Sequence, residues 1–90
     1  MSMEAKVSGD YRAVIDNDGS RLTVFSPDGK EAFALSPPEH GTFYLFAEHI
    51  EHGPCPVVSF HPDFQINGWQ DWYFKLDVRF KTISRLNPWR

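Results

Sequence analysis

The residues with the strongest chemical vocabulary are His49, His52 and Cys55, three positions apart, with a third imidazole at His61. Imidazole nitrogens and a thiolate are the ordinary ligands of tetrahedral zinc, so these four side chains are the candidate metal set. Their spacing departs from the paired Cys-x-x-Cys and His-Glu-x-x-His patterns that mark strong zinc sites. The competing explanation is structural. A histidine near a helix C-terminus complements the helix dipole, and a lone cysteine is commonly a small buried apolar side chain. The same residues also admit a nucleophilic arrangement, with Cys55 attacking, His49, His52 or His61 as base, and Asp63 orienting it. No glycine-rich turn or helix N-terminus lies at Cys55 to lower its pKa, so no catalytic residue is assigned. A metal-dependent enzyme built on this cluster is the alternative function, and no cofactor is expected.

A second group is the aromatic segment from Phe60 to Tyr73, which mixes rings with amides and carboxylates. Rigid rings bury wide area at low entropic cost and carry polar handles, which suits recognition of a protein partner. Trp69, Trp72 and Tyr73 are the expected anchors. Lys75, Arg79 and Lys81 follow on the outer face of the last strand and would steer an acidic partner. Arg85 and Arg90 extend this basic stripe, which makes a nucleic-acid surface a further alternative. Asp77 interrupts the stripe and the rest of the chain is acidic, so nucleic acid is the less favoured partner.

Charge is unevenly placed. The 90 residues carry a net charge of −3, yet positions 1–74 balance at −7 and positions 75–90 at +4. With 41% apolar and 16% aromatic residues, the chain has material for one packed core, assigned to 10–90 behind a flexible arm over 1–9. A single cysteine excludes an intrachain disulfide, and neither a signal peptide nor an 18-residue apolar run is read. These features indicate a soluble cytoplasmic protein without a membrane partner.

The elements that must position these groups follow from turn chemistry and periodicity. Asn17-Asp18-Gly19-Ser20 and Ser26-Pro27-Asp28-Gly29-Lys30 separate strands at 11–15, 21–25 and 31–35, an antiparallel meander. Residues 37–52 then read as a helix. Ser36 and Glu39 form a capping box, Pro37 suits the first turn, and Gly53-Pro54 ends it. Phe43, Phe46, Ala47 and Ile50 supply the i, i+3, i+4, i+7 stripe. Strands at 56–60 and 72–81 complete the chain. In the second of these, Trp72, Phe74, Leu76, Val78 and Phe80 alternate with Tyr73, Lys75, Asp77, Arg79 and Lys81. The expected fold is therefore α+β, order β-β-β-α-β-β, a five-stranded antiparallel sheet covered by one helix. An all-β sandwich or barrel is the alternative if 42–50 is a strand. The expected function is a small non-catalytic binding module acting on a protein partner, such as an inhibitor, an immunity-type factor or an assembly subunit. A first or last strand left at a sheet edge also offers a surface on which a second copy can pair.

Overall fold

The computed structural model describes residues 3–89. Eight strands are present: β1 (Glu4–Lys6), β2 (Arg12–Ile15), β3 (Leu22–Phe25), β4 (Glu31–Leu35), β5 (Gly41–His49), β6 (Gly53–Phe60), β7 (Asp71–Asp77) and β8 (Thr82–Pro88). Short 3-10 turns at Ser8–Asp10 and Pro62–Phe64 are the helical pieces among the described residues. Two four-stranded antiparallel sheets form, with strand orders β1-β2-β3-β4 and β5-β6-β7-β8. The α+β expectation is overturned: no α-helix covers a sheet among the described residues, and the strands divide four and four. None of the described helical segments is long and apolar enough to cross a membrane.

The first sheet is where turn chemistry placed it. At β2–β3 the Gly19 amide closes onto the Asp16 carbonyl at 2.9 Å, and Gly19 adopts φ +71°. At β3–β4 the Asp28 carboxylate accepts from the Lys30 amide and from the Ser26 hydroxyl. Those hydrogen bonds, the hydroxyl one foremost, hold the Asp28 carboxyl below its ordinary range. Glu4–Lys6, from the arm assigned to 1–9, pair with Val14–Arg12 as β1. Met1 and Ser2 of that arm lie outside the described residues.

The expected helix is instead the first strand and the turn of a long hairpin, and the reason is a β-bulge. Phe43 pairs with Val58 and Leu45 with Val57, which leaves Tyr44 as the extra residue. The bulge breaks the period of two, so Phe43 and Phe46 both enter the core. That spacing of three is what imitates a helical stripe. Ile50, the last member of the stripe, lies in the turn and is 97% exposed. Gly53 does take a positive φ of +69°, but to start β6 rather than to end a helix.

β6 contains Pro54 and Pro56, and proline cannot donate to a ladder. Accordingly β6 pairs with β7 only over Val57–Ser59, past the prolines. The expected single strand over 72–81 is also corrected: β7 ends at Asp77, and residues 78–81 turn back into β8. Asp77 Oδ1 accepts the Phe80 amide at 2.9 Å, and Lys81 carries φ +57°. Leu76 then pairs with Ile83, and both pack against the core.

The two sheets share one core. Ala13, Ile15, Leu22 and Val24 come from the first, and Phe43, Phe46, Val58, Phe60, Trp72 and Phe74 from the second. The β2–β3 turn meets β5 through the Phe43 amide, which donates to the Gly19 carbonyl at 2.9 Å.

Candidate functional site

The four candidate metal ligands do not converge. His49, 7% exposed, sits at the end of β5 with both ring nitrogens engaged. Its Nδ1 accepts the Glu51 amide at 3.1 Å, so Nε2 carries the hydrogen and donates to Asn87 Oδ1 at 2.7 Å. The ring also meets Tyr73 edge-on at 4.9 Å and lies 5.1 Å from the His52 ring. Cys55 pairs with Ala47 in mid-sheet and is buried. His61 follows the far end of β6, six residues from Cys55, or about 20 Å of extended chain. No group of three His, Cys, Asp or Glu side chains among the described residues is placed to hold a metal ion.

The nucleophilic arrangement fails on the same geometry. Burial, aided by the nearby Glu48 charge, pushes the Cys55 thiol up to about 11, although Lys75 acts in the opposite sense. An activated cysteine needs the reverse shift. Asp63 does stand beside His61, at 3.7 Å, but both are exposed and remote from the thiol.

The expected partner-binding residues separate into different environments. Trp72 is 6% exposed and belongs to the core; its Nε1–H donates to the Trp69 carbonyl at 2.9 Å, and the Arg85 guanidinium lies 4.9 Å from its ring centre. Tyr73 is half-buried, its hydroxyl donating to the Glu48 carbonyl at 3.0 Å. Trp69 is 43% exposed at the foot of a four-residue hairpin, where Ile66 and Trp69 bond reciprocally around Asn67 and Gly68. Both central residues have positive φ, +50° and +80°, as a tight Asn-Gly turn requires. The basic stripe is not one strand face. Lys75 lies on β7, Arg79 and Lys81 in the following turn, and Arg85 on the other face of the sheet, opposite Phe74. Arg90 lies outside the described residues.

The structure assembles a different constellation at the β5-start, β6-end edge of the second sheet. An open groove of about 660 Å³ is walled by Tyr44, Phe64, His40 and His61, with Thr42, Ser59 and Gln70 among its polar lining. Tyr44 and Phe64 are each 48% exposed. The His40 ring stacks on Phe64 at 3.6 Å and 2°, and His61 meets Phe64 edge-on at 6.1 Å. Trp89 packs edge-on against Tyr44 at 5.8 Å. None of the lining residues is Lys, Arg, Asp or Glu, in a chain that is 23% charged. The lining therefore offers rings, hydroxyls, imidazoles and an amide, and two carboxylates flank it, Glu39 at 3.6 Å from His40 and Asp63 at 3.7 Å from His61.

Two of these residues, His40 and Tyr44, escaped sequence reasoning, whereas Phe64 lies inside the aromatic segment from Phe60 to Tyr73. His40 is given no role by the sequence; it has a φ of +65° and its ring stacks on Phe64. Tyr44 is the bulge residue, and Phe64 lies in the 3-10 turn Pro62–Phe64. The bulge at Tyr44 carries no local sequence signal. Together the fold and groove define a small all-β domain with an open groove walled by two half-exposed rings and two imidazoles. No protein-family model matches the chain, and neither a curated protein nor a solved structure matches it significantly.

Proposed function

We propose that the chain is a non-catalytic binding module that acts on a protein partner, with the groove between Tyr44 and Phe64 as its seat. The observation that carries this reading is the pair of half-exposed rings sharing one groove whose lining residues include no Lys, Arg, Asp or Glu. Rings held by neighbours bind at low entropic cost, and Phe64 is held by His40 and His61, Tyr44 by Trp89. Trp69, 43% exposed, is a further exposed ring outside the groove's lining. A buried thiol raised to about 11 and a His49 committed to Asn87 and Glu51 favour binding over catalysis. An inhibitor, an immunity-type factor or an assembly subunit would each use such a surface.

The test compares partner retention from a lysate of the source organism by the wild-type chain and by Tyr44→Ala/Phe64→Ala. A specific partner should be retained by the first and weakened at least tenfold by the double substitution, with the circular dichroism spectrum unchanged. Equal retention would move the binding surface elsewhere.

A second copy of the chain is the other reading, because β1 and β8, the first and last strands, each stand at the end of a sheet's strand order among the described residues. Sedimentation at increasing concentration separates the two: edge pairing gives a dimer, whereas the groove reading leaves the isolated chain monomeric.

A further inference from the structure

The opposite end of β6 holds a second concavity of contrary character. Strand β6 runs from Gly53 to Phe60, so the two sites stand about 23 Å apart along it. This pocket, about 390 Å³, brings together Lys6 from β1, Lys75 from β7, Arg79 from the β7–β8 turn and His52 from the β5–β6 turn. Its walls are apolar, formed by Val7, Pro54, Leu76 and Val78.

The charge balance of the pocket reverses that of the chain. Three fixed cations face one carboxylate, Asp77, and that carboxylate already accepts the Phe80 amide. The chain as a whole is at −3. Lys75 and Arg79 form no ion pair with any described residue, and Lys6 pairs only with Asp10, in an exposed contact at 3.2 Å. Such a contact is worth little and is readily exchanged for a better-placed anion. Cations gathered from three elements over apolar walls repel one another, and the walls focus their field into the cavity. A dianion relieves the repulsion among Lys6, Lys75 and Arg79 and, bound at Lys6, displaces its exposed contact with Asp10.

We infer that this pocket binds the phosphate group of a small phosphate ester, with Lys75 and Arg79 as the principal contacts and Lys6 closing from β1. The volume leaves room for an organic group beyond the phosphate against Val7 and Leu76. Arg79 supplies the planar fork that grips two phosphate oxygens, and the lysines supply point charges. His52 adds a ring nitrogen at the rim.

The experiment titrates ¹⁵N-labelled protein with inorganic phosphate at constant ionic strength, using sodium chloride as the matched control. Phosphate should shift the amides of Val7, Ser8, Cys55 and Val78 along one saturable curve with millimolar half-saturation. Lys75→Gln/Arg79→Gln should raise the half-saturation at least tenfold, while Lys81→Gln, a cation outside the pocket, leaves it unchanged. Chloride producing the same shifts, or the double variant saturating as wild type does, would overturn the assignment. A glycerol phosphate curve no tighter than that of phosphate would remove the organic subsite, and a tighter one supports it. None of these outcomes bears on the Tyr44–Phe64 groove.

Discussion

His49 Nε2 donates to Asn87 Oδ1 across 2.7 Å and 38 residues of sequence, tying the end of β5 to the end of β8. These strands are the two edges of one sheet, so the bond reaches over its outer face, where Tyr73 packs edge-on against the imidazole. Replacing His49 by Leu keeps an apolar body but removes this bond and the acceptor for the Glu51 amide. The expected loss is about 1–2 kcal/mol, two net hydrogen bonds at a partly wet site, read as a lower urea midpoint at unchanged slope. Asn87→Ala should cost about half as much.

Gly19 marks the junction of the two sheets. A methyl there would collide with the Phe43 carbonyl oxygen and the Thr42 methyl, and its φ of +71° already disfavours a side chain. Gly19→Ala is expected to destabilise by about 2–4 kcal/mol. Gly68 also has a positive φ, but its missing Cβ would meet nothing within 4 Å, so Gly68→Ala should cost only about 1–2 kcal/mol. Equal losses in thermal unfolding would mean that the β2–β3 turn does not press on β5.

The two tryptophans three residues apart should behave oppositely. Trp72→Ala empties a core position and is expected to cost about 3–5 kcal/mol. Trp69→Ala, at the surface, should cost no more than about 1.5 kcal/mol. Chemical denaturation of both variants settles the contrast.

Cys55 predicts an alkaline signature. Its folded value of about 11 lies above the ordinary thiol value of 9.0, so the native state holds the proton over an interval in which the unfolded chain has lost it. The stability this contributes is complete below pH 9 and declines as pH rises from 9 toward 11. Cys55→Ala should flatten that decline while lowering stability at neutral pH through lost packing. At pH 8 the native thiol should also alkylate at least about a hundredfold more slowly than the unfolded one, from its thiolate fraction alone.

Local chemistry was enough to place the β2, β3 and β4 strands, because Asn-Asp-Gly and Pro-Asp-Gly turns act through their own backbones. The helix over 37–52 was misjudged because its evidence was also local. A capping box and a three-residue apolar spacing are compatible with a strand once one bulge, at Tyr44, carries Phe43 and Phe46 to the same face. Nothing within those residues requires the bulge; the pairing with β6 supplies it. The turn at residues 78–81 was hidden for a related reason. It contains no Gly, Pro or Asn, and it forms because Ile83 returns to pair with Leu76 over the core.

The sites divide in the same way. Sequence alone determined the stock of groups: one cysteine, a cluster of imidazoles, a surplus of rings and a cationic C-terminal stretch in an acidic chain. Tertiary structure decided their use, because strand pairing joins residues that chain distance keeps apart. It spent His49 on Asn87, buried Cys55 and Trp72, and left Tyr44 and Phe64 facing one groove lined by uncharged side chains and imidazoles. It also carried Lys6 across to Lys75 and Arg79, a convergence of 69 and 73 positions in the chain that no local spacing encodes.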